Sequence, residues 1–196
     1  MSRLLSMAAL VVLTGSWGFA QEVKTRMARM DVCSTDLSGA KLTMVAAPEN
    51  GDGTNASWMD DVKNAQYLTY QMPTGKEWAK MTIRFKADKD GEVSLSLRGE
   101  WRPKVEGSEE LIPIWIAYDD VTVDGGTLQN GDFEAAAEGK AVGWNFQGEQ
   151  GFVSAEKAGH GGKGSIKAWH NESVDQNLAV KKDTVVAVTV WCKLAE

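Results

Sequence analysis

The amino-acid sequence predicts an all-β fold, an antiparallel β-sandwich. Apolar and polar residues alternate with a period of two in several segments, and clusters of Gly, Asn, Asp and Pro separate these segments. No segment repeats its apolar residues with the period of an α-helix. About ten short strands separated by turn residues are typical of a sandwich of two sheets.

The first predicted strands lie before residue 75. One strand ends near Cys33, and a short strand covers Lys41 to Ala47. The segment from Pro48 to Ser57 is predicted to be a loop because Gly, Asn, Asp and Pro dominate it. From Gln66 to Met72 the alternation becomes regular, and it turns Tyr67 away from the core.

The clearest alternation lies between residues 79 and 98. Ala79 to Ala87 have apolar residues at every second position, which predicts a strand with one buried and one wet face. Asp90-Gly91 predicts a hairpin turn, after which Val93 to Leu97 continue the buried face and Arg98 points outward.

The later predicted strands are shorter and follow one another closely. They cover Ile112 to Tyr118, Trp144 to Phe146, Phe152 to Ala155, Ser165 to Trp169, Val174 to Val180 and Thr184 to Leu194.

The first twenty residues have the pattern of a signal peptide. Arg3 supplies a positive charge, Leu4 to Leu13 form an apolar core, and Gly18 and Ala20 suit cleavage before Gln21. The apolar run is about half of the ~20 residues that a membrane span needs. We therefore expect a secreted or periplasmic protein whose residues 21–196 form a single domain, with no membrane insertion.

The charge of the chain limits its partners. The net charge is −6, and removing Arg3 with the signal peptide leaves −7. An acidic chain without a basic stripe is a poor match for nucleic acid or for anionic lipid. Neutral or weakly charged partners such as glycans fit better.

Two motifs lie in mid-chain: Asn130 to Glu134 read NGDFE, and Tyr118 to Val123 read YDDVTV. They resemble segments of carbohydrate-binding modules of families 4 and 9, in which the first opens the module and the second closes it. The resemblance implies a jelly roll of the galactose-binding type that binds carbohydrate. Here the closing motif precedes the opening one.

Two arrangements explain the reversed order. In a circular permutation, residues 22–125 supply the late strands of the module and residues 127–196 the early ones, joined at the Gly125-Gly126 turn. This is physically tolerable because sandwich termini are often adjacent. In a duplication, the segments after Lys41 repeat those after Ser165. The sequence leaves both open.

Cys33 and Cys192 are the only cysteines in the chain. An even count in an exported protein favours a disulfide, and the permuted arrangement places the last strand beside the first mature strand. The alternative is two buried thiols.

Catalysis has little support in the sequence. His160 and His170 are the only histidines, and neither belongs to a nucleophile motif or a metal-binding spacing. Asp119 and Asp120 are adjacent, so on a regular strand they would point to opposite faces and could not form a glycosidase pair. We expect no enzyme activity.

A calcium ion is implied by the family resemblance. Modules of this type hold structural calcium between the opening strand, a glycine turn and the closing acidic strand. Here that points to Asp120, Asp132 and Glu134, with carbonyl groups from Gly162 to Gly164, and Ca²⁺ prefers such oxygen ligands. The alternative is that these aspartates only cap turns.

Sugar binding would use aromatic stacking together with amide and guanidinium hydrogen bonds. Alternation turns Trp169 and Trp191 outward, and with Arg98 and Tyr67 they would line a sheet face, with Trp101 at its rim. The alternative for each tryptophan is packing under a loop. Two further tryptophans, Trp78 and Trp144, match core positions of the family.

The sequence thus predicts an exported, non-catalytic carbohydrate-binding protein. The alternative is a structural or assembly protein of the cell envelope that has the same fold and no sugar site.

Overall fold

The computed structural model describes residues 26–34, 39–45, 53–148 and 159–195. Within these ranges the regular elements are all β-strands. They are β1 (Arg26–Ser34), β2 (Leu42–Met44), β3 (Thr54–Asp60), β4 (Ala65–Thr74), β5 (Ala79–Ala87), β6 (Gly91–Gly99), β7 (Ile116–Asp124), β8 (Gly126–Thr127), β9 (Ala136–Ala137), β10 (Lys140–Ala141), β11 (Asn145–Phe146), β12 (Ile166–Ala168), β13 (Val174–Val180) and β14 (Val186–Leu194).

The strands form two main antiparallel sheets. The seven-stranded sheet has the order β11-β13-β6-β1-β4-β3, with β8 also paired to β13. The five-stranded sheet has the order β12-β7-β14-β5-β2, and β9 pairs with β10 separately. The prediction of an all-β antiparallel sandwich is confirmed.

The core lies between the two sheets and follows from strand alternation. Met30 and Leu95 of the seven-stranded sheet and Phe85 and Val188 of the five-stranded sheet are fully buried in one apolar cluster. Tyr118 of β7 ties the sheets together, since its hydroxyl accepts a hydrogen bond from the Arg29 amide at 3.0 Å and donates one to the Arg98 carbonyl at 2.6 Å.

The predicted hairpin at Asp90-Gly91 is wrong. β5 pairs with β14 and β2, whereas β6 pairs with β1 and β13 in the other sheet. The short turn instead carries the chain from one sheet to the other, and both strands turn their apolar faces to the core between the sheets. Alternation in the sequence predicts which face of a strand is buried, but it does not predict which strands pair with it.

The predicted loop from Pro48 to Ser57 is also wrong at its end, because β3 begins at Thr54 and forms the edge of the seven-stranded sheet. An edge strand buries little, so turn-forming residues are tolerated there. The strand predicted from Ile112 instead starts at Ile116 and continues to Asp124.

The predicted disulfide is absent. Cys33 lies on β1 in the seven-stranded sheet, and Cys192 lies on β14 in the five-stranded sheet, so the first described strand and the last are not paired in one sheet. Cys192 is fully buried in the core, while Cys33 alternates with core residues and faces the other way. Their thiols therefore lie on different sides of the seven-stranded sheet.

Two sequence predictions, the signal peptide and the strand from Phe152 to Ala155, lie outside the described residues. In the part of the chain that the structure describes, no helix is long and apolar enough to cross a membrane.

Candidate functional site

The outer face of the seven-stranded sheet carries rows of polar and aromatic side chains. Strand register aligns residues across five strands in two adjacent rows. One row is Trp58, Tyr67, Cys33, Ser94 and Asn177, and the next is Ala56, Thr69, Asp31, Ser96 and Asp175. Since the strands alternate, these side chains point away from the core.

An aromatic wall borders this face at its β3 edge. The rings of Trp58 and Tyr67 stack with centroids 4.3 Å apart and planes 8° apart. The Trp58 indole donates to Thr69 Oγ1 at 3.1 Å, which fixes the ring. Burial raises the pKa of the Tyr67 phenol, and a hydrogen bond with Cys33 raises it further. The wall is thus ordered, while Trp58 stays 40% exposed.

The floor beside this wall is a charged triad. Arg29 Nε lies 2.9 Å from Asp31 Oδ1, and Arg98 Nε lies 3.6 Å from Asp31 Oδ2. Asp31 is fully buried, so the two guanidiniums offset the cost of burying its charge. Tyr118, bonded to the backbone of both arginines, supports the floor from the core side.

The far rim consists of Trp101 and His170, whose rings meet edge to face at 4.8 Å. Burial lowers the pKa of His170 to about 4, and Arg98 and Arg29 add to this effect. The imidazole is therefore neutral at pH 7. Its Nδ1 is buried and has no hydrogen-bond partner among the described residues.

Wall, floor and rim enclose one cleft of about 440 Å³, which we call the outer cleft. Three residues predicted for sugar binding, Arg98, Tyr67 and Trp101, lie together in its lining. Sequence reasoning missed Trp58, because it follows a segment predicted as a loop. The only available signal was its spacing of two residues from Ala56 and from Asp60, which on a strand places the three side chains on one face.

The other two predicted binding residues, Trp169 and Trp191, lie elsewhere. Trp169 packs against Trp115 with centroids 6.2 Å apart, and its indole nitrogen is buried without a partner among the described residues. Trp191 belongs to the five-stranded sheet, and the ring of His160 covers it at 3.9 Å.

His160 also marks a second polar region, the glycine-turn cluster, formed by Asp119, Asp120, Glu134 and residues 159–164. The register of β7 against β14 shifts between Thr189 and Trp191, and Asp120 has a left-handed φ of 48°. This bulge overturns the expectation that the two aspartates face opposite ways. Asp119 Oδ2 accepts from the His160 amide at 2.5 Å, and Asp120 Oδ2 lies 2.8 Å from His160 Nδ1.

The NGDFE motif completes this cluster from the other side. Glu134 Oε1 accepts the amides of Lys163 at 2.6 Å and Gly164 at 2.8 Å, and these bonds lower the pKa of Glu134. Phe133 is fully buried, and Asn130 bonds the backbone of Ala135 through both ends of its side-chain amide. The motif therefore fixes a corner of the sandwich.

Several carboxylate oxygens of this region accept hydrogen bonds from the backbone. Asp119 Oδ1 accepts the Asp120 amide at 2.7 Å, and Asp132 Oδ1 lies 3.4 Å from the Glu134 amide. Among the described residues, no three His, Cys, Asp or Glu side chains are grouped to hold a metal. The observed contacts are those of turn caps, and calcium binding by Asp120, Asp132 and Glu134 stays a prediction.

Comparison with known proteins yields no match to a family model, to a curated protein or to a solved structure. The function has to be inferred from the geometry of the chain itself.

Proposed function

We propose that this protein binds carbohydrate in the outer cleft and does not catalyse a reaction on it. The observation that carries the proposal is the Trp58–Tyr67 stack standing beside Arg98, Thr69 and Gln71 in one cavity. Sugar rings pack their CH faces on aromatic rings, and their hydroxyls bond to amides and guanidiniums. A cleft of about 440 Å³ accommodates a ligand of a few sugar units.

Export and the jelly-roll relationship belong to the same proposal. The pattern of residues 1–20 supports a secreted or periplasmic location. The NGDFE and YDDVTV motifs, which meet at the glycine-turn cluster, support the resemblance to carbohydrate-binding modules. The proposal that the protein is not an enzyme rests on the sequence. Asp31 supports it, because two arginines pair with that carboxylate.

Affinity electrophoresis through a panel of soluble polysaccharides, with pull-down on insoluble ones, tests the proposal. We expect at least one glycan to retard the wild-type protein. Trp58→Ala should weaken that binding by about tenfold or more, because a stacked aromatic side chain is typical of binding hot spots. Trp191→Ala is the matched control on the other sheet and should bind normally. Retention that depends on Trp191 and not on Trp58 would place the site elsewhere.

A second candidate is a structural or assembly role in the cell envelope. It is favoured by β3, an edge strand that is exposed along nearly its whole length and includes Met59 at 55% exposure. Exposed edges can pair with strands of other chains. A protein that binds no glycan but forms assemblies disrupted by Met59→Lys would support this role.

Calcium binding at the glycine-turn cluster is a separate proposal, supported by the family resemblance. A rise in melting temperature in calcium relative to EDTA, lost in Glu134→Gln, would support it. Identical melting in both solutions would count against it.

A further inference from the structure

Two arginines share a single carboxylate at the floor of the outer cleft. Arg29 Nε contacts both oxygens of Asp31, at 2.9 and 3.1 Å, and Arg98 approaches the same carboxylate at 3.6 Å. The side chains of Arg29 and Arg98 are 11% and 23% exposed, against 1% for Asp31. One positive charge is thus left over within the triad.

Part of the donor capacity of these arginines is also unused. Arg98 Nε and Nη2 donate to Ser96 Oγ at 3.2 and 3.1 Å. Arg98 Nη1 and the two terminal nitrogens of Arg29 have no hydrogen-bond partner among the described residues. A guanidinium offers five N–H donors in a planar fork that matches a carboxylate or a sulfate.

The acidic groups in the cleft lining are Asp31 and Asp60, and Asp60 pairs with Lys63 at 3.9 Å. Asp175 keeps its negative charge and accepts the hydroxyls of Ser96 at 2.5 Å and Ser173 at 3.2 Å, but it lies outside the lining. Next to the rim, Glu100 pairs with Arg102 at 3.0 Å.

His170 lies at the rim beside the two arginines. Its pKa is lowered to about 4 by burial first and then by Arg98 and Arg29, whereas Asp31 acts in the opposite direction.

We infer that the outer cleft takes an acidic glycan and places the anionic group of one sugar against Arg29 and Arg98. The inference rests on the proposed function, and it departs from the neutral partner that overall charge favours. Because the whole chain carries −6, a polyanion is repelled except where this local site attracts it.

Two pairs of polymers isolate the anionic group. Polygalacturonic acid is compared with fully methyl-esterified homogalacturonan, which has the same backbone, and dextran sulfate with dextran. We expect one acidic member to bind at least about tenfold tighter than its neutral partner, because a charge-assisted bidentate contact is about twice as strong as a neutral hydrogen bond. Polygalacturonic acid as the tighter binder identifies a carboxylate, and dextran sulfate a sulfate ester.

Arg98→Gln is the deciding variant, since Arg29 remains to pair Asp31 and the fold is retained. It should remove most of the preference for the acidic polymer. Arg84→Gln, the same charge change on the five-stranded sheet, is the matched control and should leave the preference intact.

The outcomes separate the two proposals. Equal binding of acidic and neutral partners overturns this inference and leaves sugar binding standing. An equal loss in Arg84→Gln shows a general charge effect and overturns it as well. Failure of the wild-type protein to bind these four polymers and the wider glycan panel overturns both.

Discussion

The outer cleft and the glycine-turn cluster are both polar, but they use their polar groups differently. In the glycine-turn cluster the carboxylates of Asp119 and Glu134 each accept two backbone amides, and the His160 ring is stacked on Trp191. In the outer cleft, Trp58 is exposed, and Arg98 keeps a donor nitrogen with no partner among the described residues. The glycine-turn cluster thus uses its carboxylates largely to hold its own backbone, whereas the outer cleft presents an aromatic ring and a guanidinium donor.

The two regions also differ in the sequence pattern that encodes them. The glycine-turn cluster is built from contiguous motifs, NGDFE and residues 159–164, because a chain corner needs particular residues in a row. The outer cleft is built from single residues on β1, β3, β4 and β6, which the sheet register aligns. The contiguous motifs form a corner of the sandwich, whereas the proposed binding surface is assembled from residues far apart in sequence.

The largest expected effect is a loss of stability on substitution of a glycine in the glycine-turn cluster. A Cβ at Gly164 would lie 2.5 Å from the Phe133 carbonyl oxygen, so the backbone of the corner would have to move. We expect Gly164→Ala to lower the free energy of unfolding in urea by about 2–3 kcal/mol, the usual range for overpacking. Glycan binding per folded molecule should not change, because the outer cleft lies on the other sheet.

Gly75→Ala is the matched control, since among the described residues no atom beyond Gly75 and its chain neighbours lies within 4 Å of the position that the added methyl group would take. It should leave stability unchanged or raise it by up to about 1 kcal/mol. Similar losses in both variants would show that the corner at Gly164 is less tightly packed than these contacts require.

The sequence predicted strand faces well and strand neighbours poorly. Alternation in Ala79–Ala87 and Val174–Val180 reproduces β5 and β13 with their buried sides. It could not reveal that the turn before Gly91 crosses between sheets, because both arrangements bury the same residues. Nor could it reveal the bulge at Asp120, which depends on the partner strand β14.

The same limit applies to the candidate site. Tyr67 and Arg98 were predicted to face outward because their own strands alternate clearly. Trp58 was missed because β3 has the composition of a loop, and its stacking depends on pairing with β4. The Arg29–Asp31 pair was missed because charges scattered near the start of the chain carry no local pattern that separates a cleft floor from a solvated surface.

A smaller effect concerns the two histidines, one in each region. The pKa of His170 is lowered to about 4 from an ordinary value near 6.5, so the folded state resists protonation more than the unfolded state does. As far as His170 is concerned, the free energy of unfolding is therefore highest above pH 6.5 and decreases as the pH falls towards 4. We expect a loss of roughly 1 kcal/mol, less than the pKa difference implies because the ring is partly accessible to solvent.

The measurement is the free energy of unfolding against pH for the wild-type protein and two variants. His170→Gln should remove this part of the acid destabilisation, and His160→Gln, the control from the glycine-turn cluster, should retain it. If the His170→Gln curve runs parallel to that of the wild-type protein between pH 6.5 and 4, the imidazole is not buried beside the guanidiniums as described.

The smallest expected effect is that of a reducing agent, which should leave the melting temperature unchanged. Because Cys33 and Cys192 lie on different sheets, reduction should not shift the melting temperature, and a drop on reduction would mean that β1 and β14 lie closer than the structure places them.

The two thiols also report on different regions. Burial raises the pKa of Cys192 to about 12, so alkylation should reach it only on unfolding. Cys33 lies in the row beside Tyr67, so a glycan bound in the outer cleft should slow its alkylation and leave Cys192 unaffected.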